Sequence, residues 1–212
     1  MLSLHLIGRH FYAGDHARLL RAVTENGLDL PAALHPHLAD EPAATIGLAL
    51  RRLAELTYGP TPLTAAMTTA LLEHQRDDGG FGGDEGNAAD PLATAAAVAA
   101  LHRLGEQPCG GGPGVALACE RALAVLAATQ DPDGLFRGAG AGERGSRDAL
   151  EAERALVGAT VLLLLGDAPA FYESIRVDAL CRSLERRQPA FDAAARQLYR
   201  RARVSQPRPV AA

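Results

Sequence analysis

Two stretches of this chain repeat one another. Leu71, Gln75, Gly79 and Phe81 recur 55 residues later as Leu126, Gln130, Gly134 and Phe136, so both read Leu-x3-Gln-x3-Gly-x-Phe. Similarity at such a period marks one supersecondary unit copied along a chain. Each copy ends an apolar stretch, passes a glycine turn and leads toward a new helix-start signal. Fainter echoes lie at Leu19 to Gly27 and at Gln188 to Phe191. The pattern predicts an all-α array of about four helical hairpins, because one hairpin cannot hide its apolar side alone and must stack on the next. In this reading glycine permits the reversal at positive φ. Glutamine serves backbone groups left open at the helix end, and phenylalanine folds back to plug the joint.

Composition agrees with helices. Hydrophobic residues are 48% of the chain, aromatics 4%, and Trp is absent. Alanine and leucine must fill the interior, which favours helix over sheet. Eight helices are expected, near 15–26, 40–58, 61–75, 90–104, 114–130, 148–166, 169–187 and 189–203. Thr61-Pro62 and Asp90-Pro91 each pair a capping side chain with a first-turn proline. Asp148 with Glu151 reads as a capping box. The second, fourth and sixth helices are nearly all apolar in their middles and are expected inside. The first, third, fifth and seventh mix polar and apolar residues and are expected outside. Residues 1–203 form one domain in this reading, and 204–212, with Pro207 and Pro209, form a loose tail.

Charge is uneven. All 21 basic residues are Arg, and the net charge is -4. Residues 182–212 hold eight Arg against Glu185 and Asp192, while the other 181 residues hold 13 Arg against 23 acids. A generally basic surface for nucleic acid is therefore absent. Cys109, Cys119 and Cys181 form no CxxC pair and suggest free thiols in the cytoplasm. No secretory leader is evident, since no basic residues precede the first apolar ones. No apolar run approaches the roughly 18 residues of a membrane span.

The Gln-x3-Gly-x-Phe corner resembles the repeat of the protein prenyltransferase and squalene/terpene cyclase superfamily, where an aromatic residue, often Trp, closes the motif. EHQRDDGGFGG at 73–83 with DPLATAAAVAALHRLG at 90–105 looks like one such repeat, and residues 123–165 look like another. The resemblance implies an α/α toroid, with an inner ring of helices inside an outer one and a central cavity for isoprenoid or steroid-like chains. Family rings often hold six pairs. With about four, this chain would form a short or open ring, a smaller closed one, or a part completed by a partner or by self-association.

The departures from the family bear on chemistry. Its cyclases use an Asp-x-Asp-Asp acid, which is absent here. Asp131-Pro132-Asp133-Gly134 comes nearest and reads as a β-turn. Its protein prenyltransferases hold zinc through Asp-x-Cys and a His. Asp178-Ala-Leu-Cys181 has the wrong spacing, and no His follows it. The aromatic lining that would steady carbocations is thin, with five Phe and four Tyr. Neither activity carries over, and no metal or cofactor is implied.

Several residues invite a site reading, each beside a simpler one. Arg144, Arg147 and Arg154 cluster at one helix start and could grip a diphosphate or carboxylate, or simply form a charged rim. Glu151 and Glu153 could supply acid/base chemistry at a cavity mouth, although Glu151 already has the capping role. Asp77, Asp78, Asp84, Glu85 and Asp90 are better explained by turns and caps than by a divalent cation. His35-x-His37 with Asp40 lacks a fourth ligand, and His74 stands alone. Cys109 has no base nearby. The arginines from Arg182 to Arg208 could meet anionic membrane or an acidic partner, but no stacking aromatics accompany them for nucleic acid. The expectation is an accessory, non-catalytic repeat protein that binds a protein partner or an apolar ligand. The alternative is an enzyme or carrier for an isoprenoid, by an unidentified mechanism.

Overall fold

The computed structural model describes residues 41–55, 61–82, 88–107, 111–137, 147–166, 168–191 and 193–205. These residues form seven α-helices: α1 (Ala43–Glu55), α2 (Pro62–Glu73), α3 (Pro91–Gly105), α4 (Pro113–Ala128), α5 (Arg147–Leu165), α6 (Val177–Arg187) and α7 (Ala193–Ser205). Two short 3-10 turns, Pro169–Phe171 and Gln188–Ala190, precede α6 and α7. Among the described residues there is no strand, only the isolated bridges Gln75–Phe81 and Gln130–Phe136. The all-α expectation is met. The expected first helix and most of the expected tail lie outside the described residues.

The helices make two layers. α1, α3, α5 and α7 contact one another in sequence as a row, with α2 against α1, α4 against α3 and α6 against α5. The three helices expected inside are thus members of the row. α3 shows why: twelve of its fifteen residues are buried, six of them alanines between Ala93 and Ala100. A helix buried nearly all round needs an uncharged surface. Small side chains also let its neighbours come close. A Cβ placed on Gly47 of α1 would lie 2.9 Å from the Ala96 carbonyl carbon of α3.

Helix starts follow the local chemistry. Thr61 Oγ1 accepts from the Thr64 N–H at 3.1 Å, and Thr64 Oγ1 accepts from the Thr61 N–H at 2.8 Å. Asp90 accepts from the Leu92 N–H at 3.0 Å and caps α3. The expected capping box at Asp148 and Glu151 does not describe Glu151, whose carboxylate pairs with Arg154 and Arg187. The expected helix 169–187 is also interrupted. Residues 172–176 form turns, and Arg176 sits at φ -64°, ψ 71°. Its backbone N–H donates to Gln130 Oε1 at 3.0 Å, so a partner from the previous corner replaces the helical carbonyl.

Both Gln…Gly…Phe corners share one construction. Gly79 and Gly134 have φ +93° and +87°. Gln75 and Gln130 each donate through Nε2 to the carbonyl of their own corner glycine at 2.8 Å. Each corner closes a turn, with Gly79 N–H bonded to Arg76 O at 2.9 Å and Gly134 N–H to Asp131 O at 2.8 Å. Asp131–Gly134 is thus the β-turn its residues suggest. Phe81 and Phe136 are fully buried, each contributing about 1.5–3 kcal/mol of apolar burial.

The glutamines do more than serve their own helix end. Gln75 Nε2 also donates to Ala118 O in α4, at 2.9 Å. Gln130 Oε1 accepts from Arg176, just before α6. Each corner therefore grips the next outer helix. The grip leaves no space at the second corner, where a Cβ on Gly134 would lie 2.5 Å from the Leu180 nitrogen. At Gly79 the nearest atom would be Arg121 Cβ, at 3.0 Å. Gly134→Ala should therefore destabilise the chain by about 3 kcal/mol or more. Gly79→Ala should cost about 1–2 kcal/mol. Urea denaturation of the two variants checks the order, and equal losses would contradict it.

Candidate functional site

The densest polar chemistry among the described residues gathers at the second corner. The turn presents Asp131 and Asp133, α5 presents Glu151 and Arg154 one turn apart, and α6 ends at Arg187. Arg154 Nη2 lies 2.8 Å from Asp131 Oδ2 and 3.0 Å from Asp133 Oδ1, while its Nη1 lies 2.9 Å from Glu151 Oε1. Arg187 completes the mesh, 3.1 Å from Asp133 Oδ2 and 3.0 Å from Glu151 Oε2. Arg137 adds a more exposed pair to Asp131 at 3.2 Å. The backbone is held too: Ser183 Oγ donates to Asp133 O, and Arg176 Nη2 donates to Gln130 O and Asp131 O, both at 2.9 Å.

Electrostatics make this mesh self-sufficient. Burial alone would raise the Asp133 carboxyl, but the Leu135 N–H and the two guanidiniums outweigh it and hold Asp133 below its ordinary range. Hydrogen bonds from Arg187 and Arg154 lower Glu151 despite some burial. Arg154 stays charged, because Glu151, Asp133 and Asp131 outweigh its desolvation. Three carboxylates face three guanidiniums, so little charge is left for a ligand. A carboxyl meant to donate a proton must keep it near neutral pH, and these are held in the opposite state.

Beside the mesh lies an open cleft of about 540 Å³, lined by Asp131, Pro132, Asp133, Arg137, Leu150 and Arg154. The apolar side chains in that lining are Pro132 and Leu150. Arg154, singled out by sequence, does stand at this cleft, but it meets carboxylates of its own chain. Arg144 lies outside the described residues, as does the side chain of Arg147. Glu153 is half-buried on α5 and has no part in the mesh. Asp131 and Asp133 were legible as a turn. Arg187, 54 residues beyond Asp133, carried no local signal of its role.

The other candidates fall apart or fall outside. Asp84, Glu85, His35, His37, Asp40 and Cys109 are beyond the described residues. Asp77 and Asp78 are exposed at the first corner, and Asp78 accepts from the Gly80 N–H at 2.8 Å. Burial raises the Asp90 carboxyl, against backbone N–H groups that lower it. His74 caps α2 and its Nε2 is buried without a hydrogen bond. Among the described residues no three His, Cys, Asp or Glu side chains are placed to hold a metal ion. No described helix is long and apolar enough to cross a membrane. Cys119 is half-buried against Val98 O, and burial, then Glu120, pushes its thiol up to about 11.

Replacing Arg154 by Met should cost about 1–3 kcal/mol at neutral pH, because three partly buried carboxylates lose a partner. Asp133 and Glu151 are lowered in the folded chain, so their contribution is complete above their ordinary values. It is lost as pH falls through the lowered ones, from about pH 4 downward. Chemical denaturation between neutral and acid pH should show a steeper acid loss in the unaltered chain than in Arg154→Met. Parallel curves would contradict the mesh.

Over 100 residues the chain is 42% identical to a drimenyl diphosphate synthase of Streptomyces showdoensis. The match takes in 47% of this chain and 17% of the relative's length. No family model matches the chain, and no solved structure matches it significantly.

Proposed function

We propose that the chain is a helical-repeat module of a terpenoid-related protein, one that binds an apolar isoprenoid chain or a protein partner without carrying out the chemistry itself. Its hairpins form a short or open α/α ring in this reading. The stretch shared with a drimenyl diphosphate synthase supports the link to isoprenoids. So do the two corners, which resemble the repeat of the prenyltransferase and cyclase superfamily. The observation that carries the non-catalytic part is the state of Asp131 and Asp133. They are the nearest approach to a proton-donating acid motif, and Arg154 and Arg187 hold them in ion pairs.

The second reading, an isoprenoid enzyme or carrier, is favoured by one observation, the relative's name as a synthase. The chain spans 17% of that relative, so a synthase activity would need residues elsewhere to complete it. A cytoplasmic setting suits either reading.

A linear isoprenyl diphosphate and the matching isoprenyl alcohol separate the readings. Isothermal titration should show binding of both, since the apolar chain supplies most of the contact. Gas chromatography of extracts should return the isoprenoid unchanged. Cyclised product that disappears in Asp133→Asn would establish the enzyme reading, and failure of both compounds to bind would remove the isoprenoid from either.

A further inference from the structure

The stacked hairpins have a direction, and their two ends differ in charge. α1 begins the row and α7 ends it. The first hairpin finishes in an acidic stretch: residues 61–107 hold seven acids against Arg76 and Arg103. Glu73, Asp77 and Asp78 are exposed there. The last hairpin is basic, with Arg182 and Arg186 exposed on α6 and Arg196 and Arg200 exposed on α7.

A second observation concerns the corner itself. Gln75 is half-buried and Gln130 is buried, because the following outer helix lies across each. The third corner, Gln188 to Phe191, is shorter and lacks the glycine. Phe191 is buried as its counterparts are, but Gln188 is exposed. No outer helix of the same chain follows it among the described residues. The position that α4 and α6 fill at the first two corners is thus uncovered at the third.

We propose that the α6–α7 end of one copy receives the first hairpin, α1–α2, of a second copy, head to tail. The docking places Glu73, Asp77 and Asp78 of one molecule beside Arg182, Arg186 and Arg200 of the other. It continues the stacking that joins hairpins within a chain. The opposite arrangements, head to head or tail to tail, bring like charges together. Such a contact is heterologous, so it propagates until the rotation closes a ring. The inference deepens the partner half of the reading above and rests on its stacked-hairpin arrangement.

Sedimentation velocity of the whole chain tests it. At low salt the sedimentation coefficient should rise with protein concentration. The association should weaken by about tenfold between roughly 0.05 M and 0.5 M salt, as screened charges require. Arg182→Glu with Arg200→Glu should abolish self-association, and so should Glu73→Arg with Asp77→Arg. Mixing the two double variants pairs each reversed end with a complementary one and should restore it. A chain that stays monomeric at low salt, or mixed variants that fail to associate while each sediments as a folded monomer, would overturn the proposal. So would an arginine end that binds anionic vesicles or RNA while the chain remains monomeric. Isoprenyl binding by a strictly monomeric chain would leave the ligand half of the function standing and remove this docking.

Discussion

The architecture hangs on a side-chain amide that reaches out of its own hairpin. Gln75 and Gln130 each tie their corner glycine with one hydrogen bond and the next outer helix with another. A buried amide is costly unless its polar atoms are satisfied. Satisfying these requires two segments more than forty residues apart. Helix pairing alone is non-directional, since apolar faces accept many registers. The glutamines convert that loose preference into one alignment, and the positive-φ glycines beneath them leave room for the neighbour to close in.

The second corner shows how far such an alignment can be reinforced. At the first corner Arg121 donates to Asp77 O, and Arg76 pairs with Asp78. At the second, Asp133 occupies the place of Asp78 and meets guanidiniums from two different helices. Arg154 and Arg187 thereby bind the turn, α5 and α6 into one charged knot. The knot consumes the groups that would otherwise look catalytic. Acidic and basic residues crowded at a cleft are often functional, but here their perturbed ionisation follows from mutual neutralisation.

Much of this was legible in the chain. The repeated Leu-x3-Gln-x3-Gly-x-Phe located both corners, and Thr61-Pro62 and Asp90-Pro91 located two helix starts, because caps and turns are local chemistry. The alanine run after Pro91 identified a buried helix. Long-range capture was illegible. Nothing near Arg176 announces that Gln130 will take its N–H and break the helix expected at 169–187. Nothing near Glu151 says that Arg187 will draw it away from a cap. Arg154 was correctly suspected of standing at a cleft, but its partners, 21 and 23 residues earlier, are fixed by the fold.

The alanine row in α3 has a geometric corollary. Where Gly47 lies against Ala96, main chains nearly touch, so the spacing between the first two hairpins is set by backbone and methyl groups. Bulk added along that seam has no void to enter and must wedge the hairpins apart. The bend of the whole row is therefore written in side-chain volume at one seam. A lineage could widen or tighten the curve by trading alanines for larger residues there, with the corners left untouched.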